Sequence, residues 1–271
     1  MNNLHIGVIG AGQMGAGITM VFAQHRYRVT LVDALQSTLD STKIRITTHL
    51  SKVSTSIDAV SFHTDPTALT NVDIVIEAIP ENLDLKHSLY TKLNTLVRSD
   101  TIIATNTSSF PISDLAKSVE NPERFIGIHF MNPVLKMDLV EIIPGALTNK
   151  HTLEAAKTLI TTINKTAVIS VDRPGFIVNR LLIPMINQAF IALEEGLASK
   201  EDIDIAMEKG AAFPMGPLRL ADFIGLDTCL AIMETLHNAF PDGGYIPSSL
   251  LKKYVKNGIL GRKTKQGVYS Y

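Results

Sequence analysis

The chain has 271 residues, 45% hydrophobic and 19% charged, which is enough apolar surface for two folded domains and argues against extended disorder. Its 25 basic and 26 acidic residues leave a formal charge of -1, so no general attraction for nucleic acid is expected. The lone cysteine, Cys229, excludes an intramolecular disulfide and a CxxC metal or redox site and fits a reducing compartment.

Taken in chain order, Leu4 to Ile9 is a short apolar run ending in glycines, followed from Gln13 to Gln24 by helical spacing of Met14, Ile18, Val21 and Phe22. Because the strand pattern begins within the first ten residues, no signal peptide is expected, and the chain is placed in the cytoplasm. Further strands are predicted at Arg28 to Val32, Asp73 to Ala78 and Thr101 to Thr105, with helical segments between them, including Ser37 to Lys52. Sheet-like segments return at Phe125 to Phe130, Leu139 to Ile143 and Ala167 to Ser170. This alternation predicts a Rossmann-type α/β domain, a mainly parallel sheet with helices on both faces.

From Pro174 onward the β-branched runs stop, and helices are predicted over Phe176 to Leu197, Ser199 to Lys209 and Asp227 to Ala239. The Pro174-Gly175 pair marks the change, giving residues 1–173 as a dinucleotide-binding domain and 174–271 as an all-helical domain for substrate and dimerisation. The most apolar segment, Phe176 to Leu193, is interrupted by Asn179, Arg180, Pro184, Asn187 and Gln188, so no membrane span is expected.

Gly10-Ala11-Gly12-Gln13-Met14-Gly15 is a GxGxxG placed after a strand and at the opening of a helix, the context in which the motif binds a dinucleotide. Its glycines permit the tight turn, the approach of a pyrophosphate and close packing of helix on strand, and the helix N-terminus presents free N–H groups to the phosphates. Asp33, after the second strand, is placed to accept hydrogen bonds from the adenosine ribose and to repel a 2′-phosphate, which favours NAD over NADP. Downstream lie Asn106-Thr107-Ser108-Ser109, His129-Phe130-Met131-Asn132-Pro133 and Leu139-Val140-Glu141, polar groups at the edges of apolar segments. Strand-end positions of this kind face the cleft in which doubly wound enzymes bind ligands.

With these segments and Asp172 to Arg180 in view, the sequence resembles the 3-hydroxyacyl-CoA dehydrogenase family, most of all its short stand-alone 3-hydroxybutyryl-CoA members. The resemblance runs over nearly the whole chain, through Glu194-Glu195-Gly196, Phe213 to Pro217, Gly225-Leu226-Asp227 and Gly261 to Tyr271. It implies that His129 is the general acid/base and Glu141 its orienting partner, a pairing that would fix the imidazole tautomer and stabilise the imidazolium. It implies that Ser108 and Asn179 contact substrate, that Asn132 lies near the nicotinamide, and that Glu81 and Lys86 contact NAD along with Asn106 and the glycine-rich turn. By the residues alone, Glu81 and Lys86 also fit a solvated helix face, and Ser108 or Ser109 an N-cap.

Gln188 stands where relatives carry glutamate, Pro80 interrupts the run after Glu77-Ala78, and Lys265 replaces a common glycine. The Leu35 to Val60 segment, which the resemblance links to CoA binding, is shorter than in some relatives. Its Lys43, Arg45 and Lys52 fit either the CoA phosphates or a solvated basic face.

Two other functions fit the same fold: a dehydrogenase of a free hydroxy acid, such as a sugar acid or carnitine-like compound, and a non-catalytic NAD-binding protein of the crystallin kind. The combination of Ser108, His129, Glu141 and Asn179 speaks against the second. No metal site is expected. Apolar residues on more than one helical face, as in Leu181-Leu182-Ile183 and Leu230-Ala231-Ile232-Met233, predict a homodimer through the C-terminal helices, which the resemblance also implies.

Overall fold

A computed structural model describes residues 4–271. The chain forms two compact units, Met1–Arg173 and Pro174–Tyr271.

The first unit is built on an eight-stranded sheet in the order β3-β2-β1-β4-β5-β6-β7-β8. Its strands are β1 (His5–Ile9), β2 (Arg28–Val32), β3 (Val60–His63), β4 (Ile74–Glu77), β5 (Ile102–Thr105), β6 (Phe125–Phe130), β7 (Leu139–Pro144) and β8 (Thr166–Ile169). Helices α1 (Gln13–Gln24), α2 (Gln36–Lys52), α3 (Leu83–Leu96), α4 (Ile112–Leu115) and α5 (Lys150–Thr162) connect them. All pairings are parallel except β6–β7, where β7 runs back against β6. Strand β1 has β2 on one side and β4 on the other, so the order reverses at β1/β4 and opens a crevice beyond their carboxyl ends.

The near-continuous apolar strands are explained by burial on both faces, as a covered parallel sheet requires. Ile6, Val8, Val29, Leu31, Ile76, Ile126 and Ile128 join Ile18, Val21 and Phe22 of α1 in one core. Each such side chain contributes about 1.5–3 kcal/mol on burial. Phe22 and Tyr27 meet edge to face at 5.4 Å, and the Tyr27 hydroxyl hydrogen-bonds Thr162 Oγ1 at 2.5 Å, which ties the α1–β2 turn to α5.

Strand β3 was not foreseen in the sequence reading. It is a four-residue edge strand in register with β2, with Val60 buried in the core and Phe62 packed partly buried against it.

The second unit contains α6 (Val178–Glu194), α7 (Lys200–Ile205), α8 (Pro217–Ile224), α9 (Leu226–Ala239) and α10 (Ser249–Lys256) around Ile183, Ile186, Phe190, Cys229, Met233, Leu236 and Leu251. The long helix expected over Ser199 to Lys209 is instead α7 followed by a π-helical turn at Ala206–Gly210. Two buried aspartates organise this unit. Asp204 accepts the Leu218 and Arg219 N–H groups at the start of α8, at 2.8 and 3.1 Å, and the Tyr269 hydroxyl at 2.9 Å. Asp222 accepts the Val268 and Tyr269 N–H groups, both at 2.9 Å, and so fastens the C-terminal segment. In that segment Lys265 takes a left-handed conformation with φ 58, a region that glycine enters more easily than a residue with a Cβ.

Among the described residues no helix is long and apolar enough to cross a membrane.

Candidate active site

The glycine-rich turn joins β1 to α1 at the strand-order reversal. Gly10 has φ +97, and a Cβ there would lie 2.5 Å from the Ala78 carbonyl oxygen, so a side chain is barred by both conformation and space. A Cβ on Gly15 would lie 1.7 Å from the Gly10 carbonyl oxygen, which is the close approach of helix to strand that the third glycine allows. Gly12 differs, because a Cβ there would meet no atom within 4 Å. The protein's own packing does not demand a glycine at Gly12, whereas a pyrophosphate lying on the turn does. The first turn of α1 contains no acidic residue and no side-chain cap, so its N–H groups and positive dipole end are available to an anion. Gln13 opens α1 and donates from Nε2 to Asn132 Oδ1 at 2.8 Å, and Met14 packs partly buried against the core.

Asp33 follows β2 and accepts the Ala11 N–H at 2.7 Å through Oδ2 and the Leu35 N–H at 2.9 Å through Oδ1. The carboxylate is thus anchored to the turn it serves. Each oxygen keeps a lone pair for a ribose hydroxyl, since an ionised carboxylate offers about four acceptor positions. These groups fit a dinucleotide.

His129 and Glu141 are direct partners in the antiparallel β6–β7 ladder, and His129 Nδ1 lies 2.7 Å from Glu141 Oε2. Cross-strand partners have their Cβ atoms about 4.5–5.5 Å apart on one face, so register alone brings imidazole to carboxylate. Both are buried, at 6% and 0% exposure. His129 lies within β6, one residue before its end. Asn106, beyond β5, accepts the Phe130 N–H at 2.8 Å and holds the end of β6 beside the β5 turn.

Ser108 is half-buried in that turn. Neither it nor Ser109 caps α4. The N-cap residue is Pro111, and the carboxylate of Asp172 accepts the Ile112 and Ser113 N–H groups at 2.7 and 2.8 Å. Glu81, after β4, accepts the Ser108 N–H at 2.6 Å, the Ser108 hydroxyl at 3.1 Å and the Thr107 hydroxyl at 2.9 Å. Lys86 is not on a solvated face: it is 1% exposed, with Nζ 2.6 Å from Glu77 Oε1 and 3.4 Å from Glu81 Oε2.

Glu77, Tyr90 and Thr105, which sequence reasoning missed, complete this cluster. The Tyr90 and Thr105 hydroxyls donate to Glu77 Oε2 at 2.5 and 2.8 Å. Burial and the Glu77 charge push the Tyr90 phenol well above its ordinary range. A signal was present, for Glu77 closes the wholly apolar strand Ile74-Val75-Ile76, and Lys86 and Tyr90 lie four apart on one face of α3.

Asn179 and Lys43 are on other elements. Asn179 is in the first turn of α6 in the second unit. Lys43 is on α2, with its ammonium 5.6 Å from the centre of the Phe62 ring.

Residues 5–173 match the family described as 3-hydroxyacyl-CoA dehydrogenase, NAD binding domain, and residues 175–271 match its C-terminal domain. The chain is 45% identical to a probable 3-hydroxybutyryl-CoA dehydrogenase of Deinococcus radiodurans over 278 residues, covering 99% of this chain and 100% of that one. It is 45% identical to a 3-hydroxybutyryl-CoA dehydrogenase of Bradyrhizobium diazoefficiens, covering 98% and 94%. The crystal structure of (S)-3-hydroxybutyryl-CoA dehydrogenase from Ralstonia eutropha superposes with a TM-score of 0.95 at 41% identity, covering 98% of each chain. With both of its halves matched and relatives aligned end to end, the chain belongs to the 3-hydroxyacyl-CoA dehydrogenase family.

Proposed function

We propose that this protein interconverts (S)-3-hydroxyacyl-CoA and 3-oxoacyl-CoA with NAD as the hydride carrier, acting on short chains such as 3-hydroxybutyryl-CoA and acetoacetyl-CoA. The observation that carries this reading is the buried 2.7 Å bond between His129 and Glu141 in a chain of this family.

In the oxidation direction His129 takes the proton of the 3-hydroxyl while hydride leaves C3. Bound NAD supplies the hydride acceptor. Glu141, accepting from Nδ1, fixes the tautomer in which Nε2 receives the proton, and its charge stabilises the imidazolium that forms. In reduction the same pair starts protonated and returns the proton to the 3-oxo oxygen. Ser108 and Asn179 hold the reacting oxygen or the thioester carbonyl in place. Gly10, Gly12, Gln13, Met14 and Gly15 form the pyrophosphate seat, Asp33 binds the ribose, and Asn106, Asn132, Glu81 and Lys86 bound the cofactor site. Lys43 on α2 contributes charge toward the CoA phosphates.

The helical unit pairs two copies. Large apolar side chains exposed on it support the pairing, among them Leu181 (70%), Leu197 (77%) and Ile246 (64%). The protein works in the cytoplasm.

Following NADH absorbance with acetoacetyl-CoA and, separately, with free 3-oxo acids tests the substrate class. Oxidation with the thioester and none with the acids is expected. Turnover of the free acids alone would overturn the CoA assignment.

A further inference from the structure

The cluster beneath Ser108 consists of hydroxyls and an ammonium arranged around two carboxylates. Glu77 is fully buried and accepts from Lys86 Nζ, the Tyr90 and Thr105 hydroxyls and the Ile79 N–H. Its backbone carbonyl accepts the Asn106 N–H at 2.8 Å, at the root of the turn that holds Ser108. Lys86 is shared between Glu77 at 2.6 Å and Glu81 at 3.4 Å, and Glu81 in turn accepts from Thr107 and from both the N–H and the hydroxyl of Ser108.

An ionised carboxylate only accepts hydrogen bonds. Glu81 therefore gathers the Thr107 hydroxyl and both the N–H and the hydroxyl of Ser108 onto one carboxylate, which sets where the Ser108 turn sits. A buried ammonium between two carboxylates holds this arrangement, because removing one partner of a buried charge pair leaves the other uncompensated.

We propose that Glu77 is a positioning residue for the reaction: through Lys86 and Glu81 it fixes the Ser108 turn, and with it the place at which the Ser108 hydroxyl meets the ligand. Glu77 acts on the chemistry at second hand, through the two charged residues between it and Ser108. The inference rests on the reading above that Ser108 contacts the bound ligand.

The test is a double-mutant cycle on the full-length protein with Glu77→Gln, Ser108→Ala and the combination, measuring kcat and KM for acetoacetyl-CoA and the thermal midpoint of each. Glu77→Gln is expected to lower kcat about tenfold while KM for the thioester moves less than about threefold, since misplacing a contact by a fraction of an ångström acts on the reacting geometry. In the Ser108→Ala background the same change should lower kcat by less than about twofold, because its route to the chemistry has been removed. A general loosening of the fold would lower activity by the same factor in both backgrounds, and that result overturns the proposal. Wild-type kinetics in Ser108→Ala would instead sink the reading of Ser108 itself. Should Glu77→Gln not fold, Tyr90→Phe, which deletes one donor to Glu77, takes its place in the cycle with the same expected non-additivity, and additive losses there reject the proposal equally.

Discussion

His129 and Glu141 sit opposite each other in the one antiparallel pairing of the described sheet, and their 2.7 Å contact is made between residues twelve apart in sequence. The reversal of β7 against β6 is what makes them neighbours. A parallel β6–β7 crossover would require a connection of about a dozen residues or more, and the Glu141 carboxylate would have no register-determined partner.

Replacing His129 with Gln is expected to lower kcat by about 10²–10⁴, the usual share of general acid-base catalysis, with NADH affinity nearly unchanged. Glu141→Gln should add little to a His129→Gln variant, because it acts through the same imidazole. Steady-state rates and NADH fluorescence titration check both, and a His129→Gln enzyme keeping more than about a tenth of the wild-type rate would remove the assignment.

Asp33 predicts a strong preference for NADH over NADPH, and Asp33→Ser should relax it. Some loss of stability is expected too, because the Ala11 and Leu35 N–H groups lose a charged acceptor worth about 1.5–3 kcal/mol each. Ratios of kcat/KM for the two cofactors decide the matter, and equal use of both by the unaltered protein contradicts the role given to Asp33.

Stability should fall in mild acid. The pKa of His5 is held below 6.5, chiefly by burial and then by the nearby Arg28 charge, while its Nε2 lies 2.8 Å from Thr30 Oγ1. His49 is shifted in the same direction, again chiefly by burial. Above the unfolded-state value both states are neutral and full stability is present. As pH falls below it the unfolded chain binds protons first, and stability is lost down to the lowered folded-state value. Urea midpoints compared at about pH 7.5 and about pH 5.5 should show the decline, with a smaller drop in His5→Gln. An identical drop in that variant would exclude His5 as a contributor.

Light scattering at micromolar concentration is expected to return about twice the chain mass of 29.5 kDa. Substituting Glu for Leu181 and Leu197, the two most exposed leucines of the helical unit, should shift the equilibrium toward monomer. A wild-type mass near that of one chain rules out the dimer.

Much of this was legible in the chain alone, because local patterns carry it. The apolar runs at His5–Ile9, Arg28–Val32 and Phe125–Phe130 are strands since only burial on both faces of a sheet accommodates them. The Gly10 to Gly15 turn announced itself because a positive φ and a backbone-to-backbone approach admit no side chain. What required the tertiary structure was every fact set by which strand lies beside which. Strand β3 is only four residues, Val60-Ser61-Phe62-His63, too short an alternation to stand out, and its place is set by pairing with β2. Lys86 and Glu81 fit either a cofactor contact or a solvated face in sequence, and only the fold shows Lys86 buried against Glu77 and Glu81 bonded to Ser108. Periodicity records how much of a residue is covered but not by what, and partner choice among buried charges is decided only when distant strands are brought into register.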